Sequence, residues 1–452
     1  MKGKLWYVTA LIFLGVSLIA GCARGLKEDE QNQTKIIKVL YSDEDYFYRQ
    51  YGDLFTMKEG NVEFEVVSTQ GLSNNPGGKT YDEAFDELVE REKPDILMLN
   101  STIYEKYVAA GKLLELDPLI QRDGYSLDGI LSGLVEALRE IGDDKLYGLN
   151  PTFYGSVLYY NKDLFEEYGV EPPHDGMTWE EIMELAQRFP GQSGENGGGQ
   201  DVDYGYAADY PLTFDNLVIL FSSAAGLNYF NPDTMEITID TDSWKKVYEL
   251  ALNVYKSDSI YSPEDPGASM RTVKEAVQSD LFMTGRAAMT VNSSMTLQQL
   301  NEAPSLTKDY KSFEYGIVAA PVDPAAPDYT REISLGEIVA INAETANPEA
   351  AWEFWKFVNG AEFARINSKT LYGLMSRTDY SKEYKGTALD AFYALKPKLN
   401  RSYVNQDKIP QDFAARFQEI RGREIGLVLD GTKPLEEALK AIQQDGQALL
   451  TE

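Results

Sequence analysis

Apolar positions fall along this chain in several distinct patterns. Leu5 to Ala20 is an apolar run behind Lys2 and Lys4, holding Leu11, Ile12, Phe13, Leu14, Val16, Leu18 and Ile19. Ala23 to Lys35 carries little apolar material and reads as a solvated tether. Beyond it the patterns of a folded body begin. Ile36 to Leu40 reads as a buried strand, and the alternation of Val62 to Val67 as a second. Tyr81, Phe85, Leu88 and Val89 recur at helical spacing and predict an amphipathic helix over 81–92. Asp95 to Asn100 follows Pro94 as another short buried strand. Strand, helix and strand in alternation predict a parallel, three-layer α/β domain.

Helix signals continue downstream. Thr178-Trp179-Glu180-Glu181 is a capping box, in which the hydroxyl accepts from the Glu181 amide and the Glu181 carboxylate reaches back. Ile182, Leu185, Ala186 and Phe189 supply its buried stripe. Gly191 to Gly199 reads as a surface loop. Asn347-Pro348 opens another helix, cap then proline, with Ala351, Trp352, Trp355 and Val358 inward. Thr432 to Leu450 gives a last helix buried through Leu435, Ala438, Leu439 and Ile442. No internal repeat is visible.

The N-terminal run is too short and wrongly flanked for an ordinary membrane span and has the layout of a signal peptide. Cys22 is the chain's single cysteine, which excludes an intrachain disulfide. Ile19-Ala20-Gly21-Cys22 resembles the lipobox of bacterial lipoproteins. That resemblance implies a diacylglycerol on the Cys22 sulfur and fatty acyl chains, such as palmitate, as the anchor. Such chains partition into a bilayer at about 0.8 kcal/mol per buried methylene. No later run approaches the roughly 20 apolar residues of a membrane helix. The expected location is the outer face of the bacterial cell membrane.

Composition then narrows the chemistry. A net charge of −30 disfavours nucleic acid and anionic lipid as partners, because both reward clustered Lys and Arg. The chain has 29 Tyr against 5 Trp, and a few of these rings could form stacking faces. Gly77-Gly78-Lys79-Thr80 sits where a phosphate loop would, but Ser73 stands where that motif needs glycine. Asp201 and Asp203 lack the spacing of a calcium loop. His174 is the lone histidine, too few for a multi-histidine metal site or, in its turn, a triad. No metal or cofactor is expected. Open α/β sheets bind ligands beyond the carboxyl ends of their strands. Asp43, Glu44 and Asp45 follow the first strand and Asn100 ends another, so both become candidates for holding hydroxyl groups.

From Ile36 onward the chain resembles family 1 of the extracellular solute-binding proteins, the maltose-binding-protein type. The matching stretches are KPDILMLN (93–100), GKLLELDPLI (111–120), YYNKDLFEEYGVEPP (159–173), MTWEEIMELAQRF (177–189), LFMTGRAAMTVNSS (281–294), GIVAAPVDP (316–324), AINAETANPEAAWEFWKFVNG (340–360) and GTKPLEEAL (431–439). Their order and spacing are more specific than any one of them. The resemblance implies an α/β, two-domain, type II periplasmic-binding-protein-like fold with a ligand cleft between domains joined by crossing segments. The crossings fall near Gly148–Pro151, Gly285–Ala288 and Gly336–Ala340. Residues 1–22 are then a signal peptide and 23–35 a tether. Domain one is 36–148 plus 288–338, and domain two 149–287 plus 339–452.

The resemblance further implies ligand contacts at Tyr154 and Met295, with Asp215 on weaker ground and Glu337 and Arg377 beside them. Tyr154 or Phe214 is the expected aromatic platform. Met375 stands where the family carries proline, and Asn150 interrupts its usual Tyr-Gly-Leu-Pro; both depart from a maltodextrin site. The implied function is capture of a small solute, a saccharide first, by hinge closure and delivery to the membrane permease subunits of an ABC importer, the binding protein itself being monomeric and non-catalytic. A surface glycan-acting enzyme and a solute-sensing lipoprotein are the alternatives.

Overall fold

The structure is a computed structural model that describes residues 34–72, 78–191, 203–231, 234–263, 272–308, 310–399, 409–410 and 412–451. Cys22, most of the tether, Ser73, Gly77, the glycine run after Gly191 and Asp201 lie outside the described residues. The strands used below are β1 (Lys35–Tyr41), β2 (Val62–Ser68), β3 (Ile96–Leu99), β4 (Thr152–Asn161), β5 (Tyr204–Ala207), β6 (Ile260–Tyr261), β7 (Ala287–Ser293), β8 (Tyr315–Val318), β9 (Ile333–Ser334), β10 (Ile338–Ile341) and β11 (Leu374–Met375). The helices are α1 (Tyr81–Glu92), α2 (Ser101–Ala109), α3 (Trp179–Ala186), α4 (Phe214–Ala224), α5 (Asp242–Tyr255), α6 (Ser294–Leu306), α7 (Pro348–Val358), α8 (Phe413–Leu429) and α9 (Leu435–Thr451).

The chain resolves into two compact units. The first holds the described residues up to Met98, with Gly111–Leu114 and Val339–Val358; the second holds Leu99–Ala110, Glu115–Ile338 and the residues from Asn359 on.

In the first unit, β2, β1, β3 and β10 lie side by side in that order. β1 pairs in parallel with β2, Lys35 opposite Val62, and with β3, Val39 opposite Ile96. The expected strands and the 81–92 helix are therefore all present. α1 starts at a capping box: Glu83 N donates to Thr80 Oγ1 at 3.3 Å, and Thr80 N donates to the Glu83 carboxylate at 2.8 Å. The reciprocal bonds satisfy two of the amide donors a helix start leaves open. The core is aromatic. Phe47 meets Phe64 edge-on at 4.9 Å between centroids, Phe354 meets Phe64 at 5.2 Å, and the fully buried Trp352 and Trp355 stack at 4.9 Å. Such pairs add about 0.5–1.5 kcal/mol beyond their buried area.

One buried carboxylate ties this unit together. Asp95, 3% exposed, accepts from Lys38 N at 2.9 Å, Thr345 Oγ1 at 2.5 Å and Asn347 Nδ2 at 3.2 Å. It joins β1, the loop before β3 and the segment leading into α7. Between Glu44 and Glu59 the chain is helical, with a π-helical turn at Tyr48–Gly52, which the apolar pattern did not announce. A side chain at Gly52 would stand 2.8 Å from the Tyr48 ring.

The second unit contains a seven-stranded mixed sheet. Its main path runs β8, β4, β7, β5, β6, and β9 and β11 also pair with β4. β7 runs antiparallel to β4, with Ser293 opposite Ser156, and parallel to β5, with Met289 opposite Tyr206. Its core packs Leu158, Phe165, Trp179, Ile182, Phe221, Trp244, Tyr248, Phe417 and Ile442. α3 has the expected capping box, Thr178 N donating to Glu181 at 2.8 Å. α7 and α9 also form where the apolar stripes placed them.

Candidate ligand-binding site

Strand direction decides where polar groups gather in the second unit. β5, β6 and β7 are mutually parallel, through the pairings of β5 with β6 and with β7, so their carboxyl ends share one edge. β4 is antiparallel, so its first residues reach that same edge. Crevices of this kind receive loops from several strands at once.

After β5 come Asp209 and Tyr210. After β6 comes Ser262, whose Oγ accepts from Leu212 N at 2.7 Å and holds the loop beyond Tyr210. β7 ends in Asn292, Ser293 and the start of α6, where Met295 stands 44% exposed. Near the start of β4 stands Tyr154, 50% exposed between the buried Phe153 and Gly155. Opposite it lies Ser334 of β9, and the preceding Glu332 accepts from Ser156 N through its carbonyl at 3.0 Å. Gly336, at φ 66°, lies close under Tyr154: a Cβ there would stand 3.0 Å from the Thr152 carbonyl and 3.3 Å from the Tyr154 ring.

The electrostatics of this edge are those of desolvated acids. Asp209 still reaches solvent, yet surrounding atoms displace enough water to raise its pKa. Asn292 Nδ2 donates to it at 3.4 Å and opposes that rise. Burial likewise raises the Glu332 carboxyl, with the Trp179 indole N–H close enough to hold it down in part. That indole nitrogen is buried and makes no hydrogen bond within normal geometry. Tyr210 is pushed up to about 12, first by desolvation and then by the negative fields of Glu332 and Asp209.

The structure distributes the sequence-derived candidates unevenly. Tyr154 and Met295 reach the edge just described. Glu337 is half-buried one residue beyond Gly336. Asp215 lies in the first turn of α4, half-buried, behind the Thr213 cap. Phe214 is buried between Tyr248 and Tyr255, at 6.0 and 5.8 Å, which leaves Tyr154 as the ring able to present a face. Arg377 is engaged elsewhere. Its Nε donates to Asn359 O at 2.8 Å, Nη1 to Asp128 O at 3.0 Å, and Nη2 to Ser126 O and Tyr125 Oη at 3.0 and 3.1 Å. A guanidinium so occupied secures the 125–128 loop, so its place as a ligand contact gives way to a structural role. Asn100 caps α2, accepting from Ile103 N at 2.9 Å. In the first unit, at the carboxyl end of β1, Asp43 caps the 44–47 turn by accepting from Tyr46 N at 2.9 Å, and Glu44 and Asp45 project into solvent.

Asp209, Tyr210 and Glu332 were not picked out from the sequence. The available signal was Tyr204 to Pro211, a short run of small and aromatic residues ending in Asp-Tyr-Pro. Among the described residues, no group of His, Cys, Asp or Glu has the arrangement of a metal site.

Residues 41–364 match the model of the bacterial extracellular solute-binding protein family. The chain belongs to that family. Its members are substrate-binding proteins rather than enzymes, and they work in the periplasm or outside the cell. Among curated relatives, a binding protein of Brucella abortus (strain 2308) is 26% identical over 61% of this chain and 62% of its own length. The sn-glycerol-3-phosphate-binding periplasmic protein UgpB of Escherichia coli (strain K12) is 22% identical over 65% of each. The chain thus spans under two thirds of the curated relatives it matches. Among solved structures, an open sugar transporter protein of Rhizobium etli matches with a TM-score of 0.63 and 21% identity, covering 91% of this chain and 99% of that one. A solute-binding protein of Agrobacterium radiobacter in complex with ribitol matches at 0.57 and 19%, covering 92% and 99%. At these identities the likeness establishes the fold, the two-domain type II periplasmic-binding-protein architecture. No helix of the described residues is long and apolar enough to cross a membrane.

Proposed function

We propose that this protein captures a polyhydroxylated small solute outside the cell and delivers it to the permease subunits of an ABC importer. The observation that carries this reading is the strand-end edge of the second unit, set within a chain that matches a solute-binding family along most of its length. Tyr154 offers an aromatic face suited to the apolar side of a sugar ring or polyol. Asp209, Tyr210 and Asn292 offer carboxylate, phenol and amide groups suited to hydroxyls, and a few such groups suffice to orient a ligand. Asp43, Glu44, Asp45 and Asn100, at strand ends themselves, remain proposed contacts, as do Met295, Asp215 and Glu337.

The rest of the proposal concerns delivery. Two domains, divided as the two compact units are rather than with 288–338 in the first and 339–358 in the second, close by a hinge upon ligand. Lipid on Cys22 holds the monomer at the outer face of the cell membrane, and the protein turns over no substrate.

The test is a thermal-unfolding panel of saccharides and polyols, followed by calorimetry on any hit. A true ligand at 100 times its dissociation constant adds about 2.7 kcal/mol to apparent stability. It should also compact the protein in small-angle scattering. No shift across the panel, or conversion of a saccharide seen by mass spectrometry, refutes the reading.

A further inference from the structure

The carboxyl end of β1, in the first unit, carries an aromatic ring that the fold holds in place yet leaves open. Tyr46 lies in the turn that follows this strand and is 41% exposed. Its ring stacks on that of Tyr41, the last residue of β1, with 5.9 Å between centroids and 18° between planes. Tyr41 is buried and wedged in turn, for Phe47 meets it edge-on at 5.7 Å and Tyr51 at 6.0 Å. The backbone of Tyr46 is fixed as well, its N–H donating to the Asp43 carboxylate at 2.9 Å. β2 braces the same strand end: Thr69 N donates to Tyr41 O at 2.9 Å, and Ser68 Oγ donates to Ser42 O at 2.7 Å.

A surface side chain that is free to turn loses that freedom when a ligand settles on it. The stack on Tyr41 restricts the Tyr46 ring before any solute arrives, so this ring is preorganised. Its face is electron-rich and suits the positively polarised C–H groups that line one side of a pyranose. The neighbouring side chains supply what the hydroxyls at the rim of such a ring need. Arg49 sets its guanidinium carbon 5.8 Å from the Tyr46 centroid and brings N–H donors. Asp43 and the exposed Asp45 bring acceptors. A flat apolar face with donors and acceptors at its rim fits a closed sugar ring. An open-chain polyol has no comparable face to lay on it.

We infer that Tyr46 is a stacking contact for the solute in the first unit, and that the solute is a closed-ring sugar rather than an open-chain polyol. The inference rests on the proposed solute-binding role and narrows the solute class. It adds a ring beside the acids already proposed as contacts at the end of β1, where the exposed aromatic of the second unit is Tyr154.

The test sets closed rings against open chains of similar polarity. Methyl glucoside, methyl galactoside, maltotriose and cellotriose are the closed probes; ribitol, sorbitol and galactitol are the open ones. Calorimetry on the full mature chain should show the tightest closed probe binding at least ten-fold more tightly than any open one. Tyr46→Leu, which keeps apolar bulk and removes the aromatic face, should weaken that probe five-fold or more. Tyr46→Phe, which keeps the face and removes the hydroxyl, should bind it within two-fold of wild type. Circular dichroism and the melting temperature confirm that each variant is folded. Because the closed-against-open comparison is made on wild-type protein, a variant that fails to fold does not remove it. A smaller preference for closed rings, or a preference for open chains, overturns the inference and leaves the solute-binding proposal standing. A folded Tyr46→Leu that loses less than five-fold has the same meaning, as does a Tyr46→Phe that binds no better than Tyr46→Leu. Absence of binding by every solute, in this set and in the wider panel, refutes both.

Discussion

Replacing Asp95 by asparagine changes a few atoms and should cost the first unit a large part of its stability. The carboxylate is 3% exposed and takes donors on both oxygens: Thr345 Oγ1 on Oδ1, and Lys38 N and Asn347 Nδ2 on Oδ2. An asparagine keeps one acceptor oxygen and turns the other position into a donor. With the amide nitrogen in the Oδ2 place, Lys38 N, a backbone donor that cannot turn, faces an N–H; with it in the Oδ1 place, the Thr345 hydroxyl can turn to accept and the loss is that of the charge on the bonds. A hydrogen bond to a charged group is worth about 1.5–3 kcal/mol against about 0.5–1.5 kcal/mol for a neutral one, so the expected loss over these bonds is about 2–3 kcal/mol. Urea unfolding measures it, and the transition that the substitution moves identifies the unit. A double-mutant cycle with Thr345→Val should return a coupling of about 1 kcal/mol or more, as expected of residues sharing a network. A loss below 1 kcal/mol, or a coupling indistinguishable from zero, would show that Asp95 is not the tie described here.

Three further outcomes are expected. Gly205→Ala should destabilise the second unit by about 2 kcal/mol or more in a thermal melt, because a Cβ there would lie 1.8 Å from the Ala186 carbonyl, a backbone atom that cannot swing aside; an unchanged melt would contradict the close approach of β5 to α3. Tyr154→Ala should weaken solute binding ten-fold or more in calorimetry with a melting temperature near wild type, since the ring is half exposed; retained affinity would move the aromatic platform elsewhere. Cys22→Ser should release the protein into the medium and abolish labelling by a fatty-acid analogue, and persistent labelling would rule out the anchor.

What could be read from the sequence is what is encoded locally. β1, β2, β3 and α1 follow from alternation and helical spacing, and the Thr178 cap from four adjacent residues. The same reading passed over the π turn at Tyr48–Gly52, which no apolar period marks and where the Phe47 and Tyr48 rings lie close to Gly52. It also passed over Asp209 and Glu332. They come to one edge because β5 runs parallel to β7 while β4 runs against it, and strand order is a property of the whole sheet. Arg377 shows the opposite failure: a charged residue in a promising motif whose donors are taken by the carbonyls of Ser126, Asp128 and Asn359. Sequence supplies the donors but not their destinations.

The alternation of β4 has a consequence for how such a protein changes over evolutionary time. Phe153 and Val157 are fully buried, while Tyr154 points outward between buried neighbours. Near the start of the strand, packing positions and the proposed recognition position thus alternate on opposite faces of the pleat, before both faces become buried at Val157 and Leu158. With Tyr154 as the proposed contact, a substitution there would edit what the protein prefers without reaching the buried packing of Phe153 and Val157. A one-residue slip of register would exchange the two roles and destroy both. The several strands paired along β4 oppose that slip, and so leave the outward positions open to mutational drift. A lineage could pass from one solute to another through intermediates that all remain folded.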